Sequence, residues 1–280
     1  MIRTAYSTVG LRDRPLEAAL HCIASAGFQE VELASSGPHL PEEPREVSVH
    51  DLRKTLDALG FRGVTVHGPM KRNILGACDD NWRKAAVATF DAYLHFTAAI
   101  GATSLTIHPV PSPDLVDPGD GNASERIRTA VLRSLDELVP VAERSGVRIL
   151  LENLPYDCNY PFLDMAALRP LVDGYPEDAL GLIIDTGHAG TRRLDPAREI
   201  QIAGARLGGT HLHDVDGINP NDDHWVPTHG SLDWHAIRRA LREITYAGPW
   251  TFEIIRPRHG ETPEELLAKT RAIAAEWETT

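Results

Sequence analysis

Short apolar runs alternate along the chain with longer stretches whose apolar residues recur every three or four positions. An uninterrupted apolar run is typical of a strand that is buried on both faces, and the longer spacing is typical of an amphipathic helix. The alternation continues to the end of the chain and predicts strand–helix units around a parallel sheet. The eight predicted strands cover residues 3–8, 29–34, 63–67, 103–108, 147–152, 180–185, 207–213 and 250–255.

Helix signals occupy the segments between these strands. Ser124 is a candidate N-cap and Gly146 a candidate stop for one long helix, and Thr262-Pro263 resembles the start of the last one. The predicted helices cover residues 81–102, 124–146, 163–173, 196–204, 233–244 and 262–277.

Eight such units in 280 residues predict a (β/α)8 TIM barrel that forms a single domain over residues 1–280. The alternative is an open, doubly wound sheet. That fold usually binds its ligand on a glycine-rich phosphate loop, and the chain has neither G-x-G-x-x-G nor a Walker sequence. The barrel is therefore preferred.

Six of the apolar runs finish in a side chain that can bind a metal, namely His67, His108, Glu152, Asp185, His211 and Glu253. In a parallel barrel the carboxyl ends of all strands open onto one face, so these residues should meet there. Glu152, Asp185, His211 and Glu253 come from four successive strands and are predicted to surround one divalent ion. Carboxylate and imidazole ligands without cysteine favour Mn or Zn, with Mg, Co and Fe as further candidates.

Other polar residues near the strand ends could bind a further metal or the substrate: His67, His108, His188, His213, Asp222 and His224. His211 and His213 are two residues apart and therefore point to the same side of their strand. We assign the central ion to His211, which lies deeper in the strand. His213 is left to bind substrate or to cap the strand. The loops 109–122 and 214–234 both follow strand ends, so they are expected to cover the active face.

The charge of the chain narrows the choice of partner. The net charge is −12, which argues against tight binding of nucleic acid because phosphate contacts need Lys and Arg.

No segment approaches the roughly 18 apolar residues of a membrane helix, and the N-terminus has no apolar signal core. Three scattered cysteines do not suggest a disulfide framework. We therefore expect a cytoplasmic protein that acts on a small molecule, and a homo-oligomer is left open.

With these residues identified, the chain resembles the xylose isomerase-like TIM barrels. The matching segments are VHGP, TIHP, LEN, IDTGH, HLHDVDG, DDHWVPTHGSLDW and FEIIRP, which run in order from the third strand to the end. This superfamily contains sugar and sugar phosphate isomerases and epimerases, inosose isomerases and dehydratases, and AP endonucleases of the endonuclease-IV type. The segments are specific for the superfamily and much less so for one activity.

The resemblance to the epimerases implies that Glu152, Asp185, His211 and Glu253 hold one divalent ion and that His188 contacts the substrate. It further implies that Glu152 and Glu253 form an acid/base pair on the two faces of a keto-sugar. The expected activity is a metal-dependent isomerase or epimerase acting on a sugar, sugar phosphate, cyclitol or related polyol by proton transfer next to a carbonyl.

Two alternatives remain within the resemblance, a multinuclear zinc phosphodiesterase and a lyase that depends on a partner. The endonucleases hold three zinc ions with the equivalents of His67, His108, Glu152, Asp185, His188, His211, Asp222, His224 and Glu253. This chain departs from them in LENLPY, DTGH and HLHD. It also departs from the free-ketose epimerases, because Cys158 replaces a carboxylate and Gly217 replaces an arginine.

Overall fold

The computed structural model describes residues 2–70 and 72–279, and its parallel strands pair in chain order into a closed barrel. The predicted TIM barrel is confirmed, with shifts of a few residues at most at the strand ends. The strands are β1 (Thr4–Ser7), β2 (Glu30–Ala34), β3 (Gly63–His67), β4 (Ser104–Ile107), β5 (Arg148–Glu152), β6 (Leu180–Asp185), β7 (Leu207–Leu212) and β8 (Trp250–Phe252).

Helices follow the strands and cover the outside of the barrel. They are α1 (Leu16–Ala26), α2 (Val49–Ala58), α3 (Asp80–Ala99), α4 (Ala123–Ser145), α5 (Met165–Val172), α6 (Thr186–Thr191), α7 (Pro196–Ala203), α8 (Trp234–Glu243) and α9 (Pro263–Thr279). The sequence patterns did not specify α1, α2 or the short α6.

The N-cap predicted for α4 was wrong. Asn122 takes the N-cap position and the helix begins at Ala123, which places Ser124 inside the first turn. The side chain of Asp120 accepts a hydrogen bond from the backbone N–H of Asn122 at 3.0 Å. This hydrogen bond closes the turn before the helix, and the N-cap lies two residues earlier than predicted. The stop at Gly146 is confirmed, because this residue caps α4 with a φ of 67° that favours glycine.

The strands deliver their terminal residues to one rim. His67, Glu152 and Asp185 are the last residues of β3, β5 and β6, and they are buried. His108 and Glu253 were predicted inside their strands but lie one residue beyond β4 and β8. Each of these residues is therefore fixed by a buried strand while its side chain is free to face the rim.

No helix within residues 2–70 and 72–279 has the length and apolar character needed to cross a membrane.

Candidate metal centre

Three adjoining groups of histidine and carboxylate side chains lie at the carboxyl rim of the barrel. Within each group the candidate ligand atoms all lie within 4.8 Å of one another. The groups are Glu152, Asp185, His211 and Glu253 (the central group), His67, His108 and Glu152 (the β3–β5 group), and His188, His213, Asp222 and His224 (the loop group).

The central group contains the four residues predicted to hold one ion. The Nδ1 atom of His211 lies 2.9 Å from Glu152 Oε1, 3.3 Å from Glu253 Oε2 and 3.9 Å from Asp185 Oδ2. All four side chains are buried. Three carboxylates around one imidazole are an unfavourable arrangement without a positive charge among them.

The β3–β5 group shares a carboxylate with the central group. Glu152 Oε2 lies 3.3 Å from His67 Nε2 and 3.2 Å from His108 Nε2. The two oxygens of Glu152 therefore face different groups, and Glu152 is the side chain through which any change in one group reaches the other.

The loop group is assembled by α6 and by the segment after β7. Asp222 Oδ1 lies 3.0 Å from His224 Nε2 and 3.5 Å from His188 Nε2. His213 stacks on His224 with a centroid distance of 3.9 Å and an interplanar angle of 11°. The side chain of Asp185 caps α6 by accepting the backbone N–H of His188 at 2.6 Å, which couples the loop group to the central group.

Backbone carbonyls fix the orientation of three of these imidazoles. His67 Nδ1 contacts Gly68 O at 2.9 Å, His188 Nδ1 contacts Asn153 O at 2.8 Å, and His224 Nδ1 contacts the carbonyl of Glu253 at 3.1 Å. A carbonyl oxygen can only accept, so each Nδ1 must carry the hydrogen. In the neutral ring, Nε2 then presents a lone pair.

These lone pairs face carboxylate oxygens that have no hydrogen-bond donor of their own. Glu152 Oε2 and Asp222 Oδ1 are both buried without a hydrogen-bond partner among the described residues. An imidazole lone pair opposite a carboxylate lone pair requires a cation between them. A proton or a metal ion can fill this role, and the donor set of nitrogen and carboxylate oxygen suits a divalent metal.

In the metal-free protein, protons occupy this role. Burial lowers the pKa of His67 and that of His224, but the facing carboxylates outweigh burial and raise both pKa values to about 9. Burial opposes ionisation of Glu152, yet the charge of His211 and the close contacts of His108 and His67 keep its pKa well below the usual range. A metal ion that binds here must therefore displace protons.

Glu32 is a site residue that the strand-end argument missed. It lies in β2 with 1% of its surface exposed, and its Oε2 accepts a hydrogen bond from His211 Nε2 at 3.1 Å. This contact leaves Nδ1 of His211 facing Glu152 and Glu253. The missed signal was Glu32 within the predicted strand segment EVELA. A glutamate is unusual inside a buried strand unless its carboxylate is paired.

Asn153 and Asp214 are two further residues that sequence reasoning missed. The Asn153 side chain exchanges two hydrogen bonds with the backbone of Asp185, at 2.8 and 3.0 Å, and so joins the ends of β5 and β6. The buried carboxylate of Asp214 accepts the N–H groups of Val215, Thr228 and Leu232 and the indole N–H of Trp234. Asp214 therefore organises the loop that carries Asp222 and His224.

His213 contacts the metal-binding candidate Asp185. Its Nε2 lies 2.9 Å from Asp185 Oδ1 and 3.0 Å from Oδ2. Gly187 makes room for the ring, since a Cβ at this position would lie 1.9 Å from His213 Cε1. His213 therefore makes an orienting contact to Asp185, and its expected role as a substrate ligand or strand cap stays a prediction.

Two adjoining cavities open above the three groups. The inner cavity has a volume of about 200 Å³ and is lined by Glu152, Glu253, His67 and His224 among others. The outer cavity has a volume of about 560 Å³ and extends over the loop that follows β4. Both expected cover loops contribute to these walls, loop 109–122 through Leu115 and loop 214–234 through Asp222.

Three arginines lie near the rim, and each contacts an aromatic ring or a backbone carbonyl. Arg72 lies over the ring of Trp82 at 5.3 Å and Arg258 over that of Trp225 at 4.5 Å. Arg256 donates to the backbone carbonyl of Asp222 at 3.0 Å. In the part of the chain that the structure describes, none of the three forms an ion pair with a carboxylate.

Comparison with known proteins identifies the family of the chain. The protein-family model described as "Xylose isomerase-like TIM barrel" matches residues 20–275 of the sequence. A D-psicose 3-epimerase from Ruminiclostridium cellulolyticum is 26% identical over 237 residues, which cover 82% of this chain and 75% of that protein.

Solved structures share the fold over nearly the whole chain. A D-tagatose 3-epimerase-like protein superposes with a TM-score of 0.82 at 21% identity, covering 99% of this chain and 97% of that one. The IOLI protein, solved with a bound zinc atom, gives a TM-score of 0.80 at 18% identity, covering 99% of this chain and 98% of that one. The family match over most of the sequence, together with the closed eight-stranded barrel, shows that this chain belongs to the xylose isomerase-like TIM barrel family.

Proposed function

We propose that this protein is a divalent-metal-dependent isomerase or epimerase that acts on a keto-sugar or a related polyol. The observation that carries the proposal is the pair of buried carboxylates, Glu152 and Glu253, that line the same inner cavity and both face His211. Epimerisation next to a carbonyl needs one group to remove a proton from carbon and a second to return it.

The central group is the proposed binding site of the ion, with Glu152, Asp185, His211 and Glu253 as its ligands. When bound, a divalent ion supplies a positive charge that polarises the carbonyl and neighbouring hydroxyl oxygens of the substrate. The lone-pair arrangement at the rim and the absence of cysteine from all three groups fit this class of ion. Mn and Zn remain the preferred metals, with Mg, Co and Fe as further candidates.

The protein residues perform the proton transfers in this proposal. One carboxylate of the Glu152 and Glu253 pair removes the proton, and the other returns one to the opposite face of the same carbon. His188 and Asp222 line both cavities and are proposed to hold the sugar hydroxyls.

A second candidate function is metal-dependent phosphodiester hydrolysis. The observation that favours it is the presence of three adjoining ligand groups, two of which share Glu152. Metal analysis of the purified protein separates the candidates, because one ion per chain favours the epimerase and two or three favour hydrolysis. The net charge of −12 predicts no useful affinity for duplex DNA, which a nicking assay on abasic-site DNA checks.

The main experiment follows solvent deuterium. The metal-loaded protein is incubated with a panel of keto-sugars and inososes in heavy water, and exchange at the carbon next to the carbonyl is measured by NMR. We expect exchange with at least one of these compounds. Turnover without deuterium incorporation would exclude proton transfer to and from carbon and would favour an internal hydride shift.

Two substitutions separate metal binding from catalysis. Glu152→Gln and Glu253→Gln keep the size of the side chain and one ligand oxygen but remove the base. Each should lose turnover by about 10²–10⁴-fold, the usual contribution of a general base, while losing only part of its metal affinity. Glu177→Gln, at an exposed position, is the matched control and should behave as the wild type.

A further inference from the structure

The outer cavity is large and adjoins the inner one. It has a volume of about 560 Å³, whereas the inner cavity has about 200 Å³, and the two share Met70, His108, His188 and Asp222 as wall residues. Ligand pockets commonly fall between roughly 300 and 1,000 Å³. The inner cavity alone is below this range, so a substrate larger than one sugar ring extends into the outer cavity.

The outer cavity has a different chemical character from the inner one. Its apolar wall is formed by Met70, Leu115, Pro155 and Tyr156, which come from the loops after β3, β4 and β5 and remain partly exposed. Partly exposed apolar side chains that line one concave surface beside a polar site mark a binding surface for an apolar group.

Ser112 and Arg72 are two polar residues of the outer wall that contact other protein groups. The hydroxyl of Ser112 donates to the carboxylate of Asp114. Arg72 stacks on Trp82, which lies outside the cavity lining. Apart from the rim residues His108, His188 and Asp222, apolar side chains form most of this wall.

We propose that the outer cavity is a subsite for an apolar aglycone and that the substrate is a keto-glycoside rather than a free sugar. This inference rests on the proposed function, because it places the keto-sugar ring in the inner cavity. The glycosidic substituent then leaves the inner cavity past His108 and His188 and packs against Leu115 and Tyr156.

The first test compares two keto-glucosides that differ only in the aglycone, methyl or 4-nitrophenyl, in the deuterium-exchange assay. The 4-nitrophenyl compound should have a kcat/KM at least tenfold higher, since even one methylene in an apolar pocket contributes about tenfold. Equal values for the two compounds overturn the subsite while leaving the proposed epimerase intact. No exchange with either glycoside or any keto-sugar of the panel rejects the proposed function itself.

A matched pair of variants tests whether the apolar wall causes the preference for the 4-nitrophenyl aglycone. Leu115→Asn places a polar side chain of similar size in the apolar wall and should bring the ratio of the two kcat/KM values close to one. Leu132→Asn makes the same change on the outer surface of α4, where Leu132 is 39% exposed, and should keep the wild-type ratio. A ratio that survives Leu115→Asn, or falls equally in both variants, contradicts the assignment.

A binding measurement gives a readout that does not depend on turnover. The unoxidised glucosides carry the same aglycones without the reacting carbonyl, and calorimetric titration measures their affinity directly. The 4-nitrophenyl glucoside should bind at least tenfold more tightly than the methyl glucoside, and Leu115→Asn should remove this difference. Equal affinities of the wild type for both glucosides would refute the subsite whatever the catalytic result.

Discussion

The substitution Glu32→Gln tests whether a residue outside the predicted ligand set controls the affinity of the metal site. Glu32 accepts the Nε2–H of His211 at 3.1 Å and is 1% exposed. This hydrogen bond selects the tautomer in which Nδ1 presents its lone pair to the central group. A glutamine amide can donate as well as accept, so the variant no longer favours that tautomer.

The expected loss of metal affinity in this variant can be worked out in two ways. Replacing the outer partner of a metal-binding histidine usually costs about 10–100-fold in metal affinity. A hydrogen bond to a charged group contributes about 1.5–3 kcal/mol, which at 1.4 kcal/mol per tenfold is again roughly 10–100-fold. The two values agree, so Glu32→Gln should raise the dissociation constant for Mn²⁺ or Zn²⁺ by that factor.

A chelator-competition titration measures this constant, and Glu30→Gln is the matched control on the same strand. Glu30 pairs with Arg3 at 3.0 Å, and the Glu30 side chain is 9% exposed while that of Arg3 is 52% exposed, so the substitution removes a part-buried ion pair outside the three ligand groups. Circular dichroism melting checks that both variants fold. If Glu32→Gln binds metal within twofold of the wild type, or if Glu30→Gln loses as much, the orienting role of Glu32 is wrong.

Three further predictions concern the rim. In the metal-free protein the pKa of His67 is raised from 6.5 to about 9, so its ion pair stabilises the fold fully below pH 6.5 and is lost as the pH rises through about 9. Melting curves from about pH 6 to 10 should therefore show that the metal-induced rise in Tm grows with pH, and a constant rise would contradict the competition between proton and metal. Gly187→Ala should destabilise the protein by about 1–3 kcal/mol because the new Cβ meets the His213 ring, whereas Gly121→Ala, with open space around it, should be neutral in urea unfolding. Asp214→Asn should cost about 3 kcal/mol, since the amide nitrogen cannot accept the N–H groups that the carboxylate now holds, and limited proteolysis should then cut the loop after β7 faster than in the wild type.

The fold was predictable because its signal is repeated along the chain. Buried parallel strands read as apolar runs, and a barrel needs eight of them, so an error of one or two residues at any strand end does not change the topology. The terminal position of a helix depends instead on a single local hydrogen bond. That is why the N-cap of α4 was predicted at Ser124 when it is Asn122, while the helix itself was predicted correctly.

The convergence of the central group followed from the same geometry, since the carboxyl ends of successive strands must meet. Its identity as a metal site remains a prediction. Glu32 could not be found by that argument because it lies inside a strand, and its role depends on which side chain faces it across the barrel. Asp214 was missed for a different reason. Its partners at Thr228, Leu232 and Trp234 belong to an irregular loop whose path no periodicity describes.

The contacts that anchor His67, His188 and His224 have a consequence for how this rim can change during evolution. Each ring is held through Nδ1 by a main-chain carbonyl, not by another side chain. Amino-acid substitution leaves a main-chain carbonyl in place as long as the barrel forms, so the orientation of these imidazoles is inherited with the fold itself. The surrounding carboxylates and loop residues can then mutate one at a time, altering the number of ions held or the compound accepted, without first losing histidines that are ready to coordinate.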